Sequence, residues 1–277
     1  MSLSSYQDDP VTYYAEQMPS QEVWTLQTMP EGLIYHSYMA GVKEPRCASV
    51  WSQRDGYGSG WDVALGGRIG LLRYGTSGCT SDRPDGWQVD LAGAVFARLD
   101  PTADSTPLVA TDYRADIPIT YGCGPLHVKL AYYHISSHLG DEYMLTASSF
   151  NRINYHRDAL AFGVGYYYTD ALRIYGEVGG APESGGGAKP WEFQVGVDYS
   201  PLHTGLRGSP FWAVNAHSRE DVGFGGNFVA QLGWQWRRTG RGGWCRMGMQ
   251  YYTGKNEQYS FFDQNESRLG YGLWVDF

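Results

Sequence analysis

Leu269-Gly-Tyr-Gly-Leu-Trp-Val-Asp-Phe277 ends the chain, and its side chains alternate in character to the last position. One face of this stretch carries Tyr271, Leu273, Val275 and Phe277, and the other carries Gly270, Gly272, Trp274 and Asp276. Successive side chains of a β-strand point to opposite faces, so a period of two is typical of a strand. The stretch therefore predicts a C-terminal strand with one large apolar face.

The last strand also indicates where the protein is located. A C-terminal strand with internal glycine and an aromatic last residue, here Phe277, resembles the signal by which the barrel-assembly machinery recognises bacterial outer-membrane β-barrels. The resemblance implies a protein of the Gram-negative outer membrane, with that machinery as a partner of this strand. It also implies that the rest of the chain forms a closed barrel.

Composition agrees with such a barrel. Aromatic residues make up 15% of the 277 residues, with 22 Tyr and 10 Trp, as in the interfacial girdles of membrane barrels. The mean hydropathy of −0.41 and the lack of a long apolar run exclude a spanning helix, whereas barrel strands are only half apolar. A soluble β-sandwich rich in glycine, with 37 Gly, is the alternative on composition alone. The terminal strand favours the barrel.

The charge distribution excludes one class of partner. The net charge is −8, and the longest basic run is Trp236-Arg-Arg-Thr-Gly-Arg241, which argues against nucleic-acid binding. Residues 1–9 contain no basic or apolar leader, so we expect that an exported protein is represented here in its mature form.

Twelve segments of the chain alternate, beginning near residues 32, 61, 87, 108, 126, 154, 171, 191, 210, 226, 243 and 267. An even number of strands brings both termini to one side, as in single-chain outer-membrane barrels. The longer connections, 42–60, 138–153, 180–190 and 254–266, then fall on the outer side. We predict an all-β fold, a transmembrane antiparallel up-and-down β-barrel of about 12 strands. The barrel occupies residues 32–277, and residues 1–31 form a polar N-terminal extension.

The predicted inward faces carry charges of both signs. They include Asp62, Arg68, Asp90, Arg98, Asp112, Arg114, Arg173, Glu177, Glu192, Asp198, Arg237 and Arg246. A small barrel can satisfy such groups in a packed, hydrogen-bonded interior. We therefore predict a filled polar lumen rather than a wide pore.

Four cysteines fit an oxidising compartment. Cys79 and Cys123 fall in turns at the same end of the predicted barrel and can pair, although four free thiols fit the sequence equally well. Cys47 is predicted in an outer loop and Cys245 at the opposite end, so these two should not meet. Cysteine spacing alone does not fix the connectivity.

One predicted strand carries residues suited to acyl transfer. In Leu126-His-Val-Lys-Leu-Ala-Tyr-Tyr-His-Ile-Ser-Ser-His138, parity places His134, Ser136 and His138 on the lipid-facing side with Leu126 and Leu130. Polar groups on that face are costly and call for a reason. Side chains at i and i+2 of a strand lie side by side, so Ser136 can be a nucleophile and His134 its base.

The next strand can supply the third member of a triad. Asn154, His156 and Asp158 share the lipid-facing side with Leu160. A carboxamide or a carboxylate on that side can orient His134 by geometry rather than by sequence order.

The segment resembles the outer-membrane phospholipase A family. That family is a twelve-stranded barrel with a His-x-Ser pair on one strand and an Asn on the next. The matching residues here are His134-Ile-Ser136 and Ser149-Phe-Asn-Arg152. The resemblance implies Ser136 as nucleophile, His134 as base, Asn151 as orienting residue, and calcium at the oxyanion. The chain as a whole resembles an uncharacterised bacterial outer-membrane β-barrel family.

Two assignments within this site stay open. Simple parity sends Asn151 inward, so either a bulge intervenes or Asn154 takes the orienting role. For calcium, the candidate ligands are Asp141 and Glu142, whose oxygens suit that ion, and Ser148, which adjoins the position of the family's calcium-binding serine.

The sequence therefore favours a serine-dependent lipid esterase, phospholipase A-like or lipid A deacylase-like, acting on lipids of the outer leaflet. A homodimer is a further expectation. The alternative is a non-catalytic barrel that serves as a scaffold, receptor or narrow channel. In that case His134, Ser136 and His138 would be ordinary residues of the headgroup zone, where polar side chains cost little.

Overall fold

A computed structural model describes residues 23–56, 58–76, 83–147, 152–237 and 243–277. The strands in these ranges are β1 (Trp24–Thr28), β2 (Cys47–Arg54), β3 (Gly58–Thr76), β4 (Gly86–Leu99), β5 (Leu108–Cys123), β6 (Leu126–Leu139), β7 (His156–Tyr167), β8 (Leu172–Gly185), β9 (Trp191–Tyr199), β10 (Ser209–Arg219), β11 (Gly226–Arg237), β12 (Trp244–Lys255) and β13 (Asn265–Asp276). One short helix, α1 (Asp141–Thr146), follows β6, and single 3-10 turns lie at Glu220–Val222 and Tyr259–Phe261. No helix in the described ranges is long and apolar enough to cross a membrane.

Strands β2 to β13 form a closed antiparallel barrel. Each pairs with the next along the chain, and β13 pairs back onto β2, with Leu273 opposite Ser49. The predicted fold, an all-β antiparallel barrel of twelve strands, is confirmed, with β1 as one additional strand. We call the end where β2 begins and β13 finishes the terminal end, and the opposite end the loop end.

The first barrel strand differs from the prediction. Eleven predicted strand starts lie within three residues of an observed one, the largest offset being 61 against Gly58. The strand predicted near residue 32 is absent from the described structure; β2 instead begins at Cys47, inside the predicted outer loop 42–60. The polar backbone groups before Cys47 bond to side chains in the lumen instead of to a strand ladder.

The long strand β3 obtains partners from three sources. It has 19 residues, whereas β2 has only 8, so β2 covers only the loop-end half of β3. Near the terminal end, β1 pairs with Leu72–Thr76. Between these two, the Phe277 ring lies against Gly67, where an added Cβ would come within 2.9 Å of the ring. Together they cover an edge that would otherwise expose unpaired backbone groups.

The outer face of the barrel is an apolar band. Its exposed side chains include Leu65, Leu91, Ile117, Leu130, Phe162, Val195, Leu232 and Leu273. Stacked cross-strand aromatic pairs lie towards both ends of this band: Trp51 with Trp61 towards the loop end, and Tyr199 with Trp212 towards the terminal end. This distribution matches the girdles expected from the composition.

Residues 30–46, which we call the inner segment, occupy the lumen. Ile34 and Tyr38 are fully buried. The Tyr38 hydroxyl donates to Glu177 of β8 at 2.8 Å, and the Arg173 guanidinium donates to the carbonyl oxygens of His36 and Ser37 at 2.7 and 2.8 Å. The lumen is therefore filled by the chain's own N-terminal part. The predicted domain boundary at residue 31 stays a prediction.

Residues 256–264, which we call the lid, close the loop end. Glu257, Gln258 and Tyr259 are buried, and Glu257 pairs with Arg268 at 2.6 Å and with Arg98 at 3.2 Å. The lid and the inner segment meet at Asp112 of β5. Its carboxylate pairs with Lys43 at 2.6 Å and accepts from the Tyr259 backbone N–H at 3.2 Å.

In the described structure, all of the predicted inward charges except Arg237 form ion pairs. Asp112 pairs with Lys43, and the other pairs in the lumen join Arg68 to Asp90, Arg98 to Asp62, Arg114 to Asp116, Lys129 to Glu177, Arg157 to Glu192, Arg173 to Asp198 and Arg246 to Asp276. A buried charge is tolerated only when it is paired and hydrogen-bonded. The observed ion pairs are therefore consistent with the assignment of these residues to the inward faces of the strands. The filled polar lumen is the one that the sequence predicts.

The cysteines differ from the prediction in one respect. Cys47 and Cys245 both lie at the terminal end, on either side of Val275, because β2 begins fifteen residues later than the predicted first strand near residue 32. Cys47, Cys123 and Cys245 are free thiols. Cys79, the predicted partner of Cys123, lies outside the described residues.

Replacing Asp112 by Ala should strongly destabilise the barrel. The change removes the counter-charge of the buried Lys43 and an acceptor of the lid, and breaking a buried pair in this way costs about 3–5 kcal/mol. Urea unfolding in detergent micelles, followed by Trp fluorescence, measures the loss. Asp104→Ala, in the exposed connection before the same strand, should change the free energy of unfolding by less than about 0.5 kcal/mol. Equal effects of the two variants would contradict the interpretation.

Candidate functional site on the outer face

The loop-end half of β6 presents polar side chains to the outside of the barrel. Buried and exposed residues alternate along the strand, with Leu130 and Tyr132 exposed and Tyr133 and Ser137 buried. His134 shares the outer face, with 44% of its side chain exposed, and so does Ser136, which is half-buried. The outward orientation of His134 and Ser136 is the one that strand parity predicts.

Asp158 of β7 holds the His134 ring. The two residues lie directly opposite each other in the β6–β7 register, and His134 Nδ1 is 3.1 Å from Asp158 Oδ1. The Tyr132 hydroxyl donates to the same carboxylate oxygen. A carboxylate on Nδ1 fixes the orientation and tautomer of an imidazole. In the described structure, Nε2 of His134 has no hydrogen-bond partner, so that atom is available to a group on the outer surface.

Ser136 is the neighbouring side chain along the same face. It lies two residues from His134 and opposite His156 of β7. Among the described residues its hydroxyl makes no hydrogen bond, and the Nδ1 atom of His156 is 3.0 Å from the Asn154 carbonyl oxygen. The structure therefore brings together a serine, a histidine and a carboxylate on one outer surface.

Asn154, one of the two predicted asparagines, makes no contact with His134 in the described structure. Asn154 precedes β7 and is exposed, and its printed contact runs from its carbonyl to His156 rather than from its amide to His134. Asn151 and Ser148 lie outside the described residues. Asp158 takes the place predicted for an orienting carboxamide. Strand parity in the sequence already predicted that Asp158 lies on the lipid-facing side. The register between β6 and β7 places it directly opposite His134, and this makes it the residue that contacts the His134 ring.

The predicted calcium ligands do not form a metal site in the described structure. Glu142 Oε2 accepts a hydrogen bond from the Leu108 backbone N–H at 2.9 Å. Asp141 and Glu142 occupy the first turn of α1, where carboxylates favour the helix N-terminus. No group of three His, Cys, Asp or Glu side chains in the described ranges is placed to hold a metal ion. These residues do not fit a calcium centre, and no chemical step is assigned to calcium.

Sequence comparison assigns the chain to a family. The family whose description reads "Protein of unknown function (DUF1207)" matches residues 11–277, nearly the whole chain. The chain belongs to the DUF1207 family. No curated protein matches this DUF1207 chain.

Structural comparison shows similarity to outer-membrane barrels. The outer membrane phospholipase A from Escherichia coli matches with a TM-score of 0.53 and 12% identity, over 84% of this chain and 91% of that chain. The Salmonella typhi outer membrane phospholipase, a dimer with bound calcium, matches with a TM-score of 0.54 at 12% identity, over 84% and 91% of the two chains. At these identities the likeness shows the fold of the DUF1207 chain, an outer-membrane-like β-barrel.

Proposed function

We propose that this protein is a lipid acyl hydrolase of the bacterial outer membrane, with Ser136 as nucleophile, His134 as general base and Asp158 as the group that orients His134. The observation that carries the proposal is the 3.1 Å contact between His134 Nδ1 and Asp158 Oδ1. This contact lies beside Ser136 on the outer face, where only a membrane-embedded or membrane-bound substrate would be reached.

The membrane location rests on the outer surface of the barrel. An apolar band around a closed barrel, with aromatic pairs towards both ends, is suited to the hydrocarbon core and its two interfaces. The barrel-assembly machinery would then recognise β13 together with Phe277. Dimerisation, expected from the sequence, stays a prediction.

The proposed chemistry is acyl transfer in two steps. As Ser136 Oγ attacks the ester carbonyl carbon, its proton moves to Nε2 of His134; the adduct then breaks its C–O bond to the alcohol, which leaves with that proton. Water attacks the acyl-serine ester while the imidazole takes a water proton. The fatty acid departs and the proton returns to Oγ. Asp158 stabilises the imidazolium at both stages.

The loop end offers room for the polar part of a lipid. A cavity of about 450 Å³ is lined by residues that include Leu139, Tyr143, Phe261 and Phe262, and this volume is in the range of small-molecule sites. Leu139 lies three residues beyond Ser136 on β6, a distance of roughly 10 Å along a strand. An acyl ester of a lipid whose headgroup sits there would reach Ser136 only over the rim of the barrel, because Ser136 faces outward and Ser137, which contacts the cavity residue Ser260, faces the lumen. The cavity supports both phospholipid and lipid A as substrate classes.

A channel is less compatible with the structure than an enzyme. The inner segment and the lid fill the lumen from its two ends, and Lys43, Arg46 and Glu257 of these segments are engaged in buried ion pairs. The non-catalytic alternative is therefore a scaffold or receptor. It predicts that substitutions at Ser136 and Asp158 have no effect on ester hydrolysis, because the protein then has no such activity.

The membrane location can be tested on the intact protein. Membrane fractionation after expression in a Gram-negative host should recover the protein with the outer membrane, and the detergent-extracted form should migrate differently on gels before and after boiling. A closed barrel resists detergent because its backbone groups are paired within the sheet. Recovery of folded protein in the soluble fraction without detergent would contradict the location.

Ser136→Ala should abolish ester hydrolysis, measured as fatty acid released from phospholipid vesicles and from lipopolysaccharide vesicles. Ser137→Ala is the matched control, because Ser137 is the adjacent serine but faces the lumen and bonds to Ser260 at 2.7 Å. The control should retain activity within about threefold. No release by the unmodified protein from either vesicle, or equal release by the two variants, would favour the non-catalytic alternative.

Asp158→Asn should lower hydrolysis by at least about a hundredfold, because a carboxamide lacks the negative charge that stabilises the His134 imidazolium during acyl transfer. Asn154→Ala should change it by less than about threefold, since the Asn154 side chain has no described contact with His134. The initial rate on the substrate found above measures both. The reverse ranking would restore the asparagine as the orienting residue.

A further inference from the structure

A second group of polar side chains lies at the terminal end of the lumen, away from His134. A cavity of about 30 Å³ is bounded there by the ends of β7, β8, β9, β11 and β12 and by the inner segment. The polar residues that line it include Arg83, Arg173, Arg237, His36, Ser200 and Asp198. Three guanidinium groups therefore share one small space with one carboxylate.

Aromatic rings hold two of these guanidinium groups. Arg237 lies over the Trp244 ring, 4.1 Å from its centroid, and Arg83 lies over the Tyr167 ring, 3.7 Å from its centroid. Such cation–π contacts engage the faces of the guanidinium planes. The N–H groups of Arg237, which point along the edge of its plane, can then be directed to a ligand.

This cavity has more positive than negative side chains, whereas elsewhere in the lumen most cations and carboxylates are paired. Asp198 pairs with Arg173, and Arg83 is 3.4 Å from Asp170, whose side chain is 95% exposed. Within the described part of the chain, Arg237 makes no ion pair. It donates from Nη2 to Ser200 Oγ at 2.5 Å, and its buried Nε has no hydrogen-bond partner. A half-buried cation with an enclosed, unpartnered N–H group is costly unless an anion accompanies it.

Three further buried atoms of the cavity residues have no hydrogen-bond partner in the described ranges. They are Nδ1 of His36, Oδ1 of Asp198 and Nε1 of Trp244. Burial, and then the positive charges of Arg237, Arg173 and Arg83, lower the pKa of His36, so its imidazole is neutral. The cavity thus offers donors from Arg237, a neutral imidazole, and one carboxylate oxygen that can accept a proton donor.

We propose that this cavity binds a protonated oxyanion, either inorganic phosphate or the phosphomonoester head of a lipid. The fork of N–H groups on a guanidinium matches the spacing of phosphate oxygens. A bound phosphate would also supply the negative counter-charge for Arg237. The P–O–H group of inorganic phosphate, or of a phosphomonoester in its monoanionic form, can donate to Asp198 Oδ1. Sulfate has no such hydrogen and would meet that oxygen with repulsion. The proposal is independent of the esterase activity.

The size of the cavity limits the ligand. A space of about 30 Å³ admits two or three water-sized groups, at roughly 10–15 Å³ for each. It accommodates two or three of the four oxygens of one phosphate group, while the rest of the ligand, including any nucleotide or sugar ring, would have to remain outside. The ligand class is therefore a phosphate or a terminal phosphomonoester.

Isothermal titration calorimetry of the detergent-solubilised full chain with inorganic phosphate and with sulfate tests the proposal. Phosphate should bind at least about tenfold more tightly than sulfate, a ratio that corresponds to one hydrogen bond to a charged group. This comparison needs no variant. Undetectable phosphate binding, or equal binding of the two anions, would overturn the proposal.

Variants at the same end of the barrel locate the site. Arg237→Gln should weaken phosphate binding at least about tenfold, and Arg237→Lys should weaken it less, because charge is kept and the fork is lost. Arg207→Gln is the matched control, since Arg207 is exposed at the same end and does not line the cavity. Unchanged affinity in a correctly folded Arg237→Gln variant, judged by its gel mobility before boiling, would overturn the assignment.

A competition experiment distinguishes the two sources of the phosphate group. Short-chain phosphatidic acid, kept below its micelle concentration, should displace inorganic phosphate if a lipid head is the ligand. Tighter binding of the lipid identifies a lipid phosphomonoester site, and binding of inorganic phosphate alone identifies a free-ion site. Both results support an oxyanion site, whereas binding of neither ligand contradicts it.

Discussion

The hydrogen bonds between β13 and β2 close the sheet, and the rest of the structure depends on that closure. An open sheet of twelve strands would have two full edges with unpaired backbone groups, whereas in the closed sheet the part of β3 that β2 does not reach is covered by β1 and Phe277. Closure also creates two distinct environments, because every strand residue then faces either the lumen or the outside. The apolar band, the charged interior and the position of the outer polar cluster all follow from this division.

A lumen rich in charge has to be neutralised from within. The strands supply carboxylates and guanidinium groups in opposing positions, and the inner segment and the lid contribute the partners that remain. Lys43 pairs with Asp112, and Glu257 lies between Arg98 and Arg268. Such pairs gain little over a hydrophobic core of equal volume, but loss of one partner is costly. The N-terminal part of the chain is therefore a structural component of the barrel and not an accessory.

The outer cluster shows how one register can join residues that are distant in sequence. Asp158 follows His134 by 24 residues, with α1 and a long connection between them, yet the β6–β7 pairing sets them directly opposite each other. The similarity to the outer membrane phospholipases shows the shared fold alone. The case for acyl transfer therefore rests on Ser136, His134 and Asp158, and on the apolar surroundings in which they lie.

The sequence by itself determined eleven of the twelve barrel strands and their faces, because the period of two is a local property that each strand carries independently of its partners. It placed His134 and Ser136 on the outer face for the same reason. Only the tertiary structure decided that residues 30–46 fill the lumen, that β2 begins at Cys47, and that Asp158 contacts His134. These features depend on contacts between residues far apart in the chain, and a local alternation contains no information about which distant residue will lie opposite.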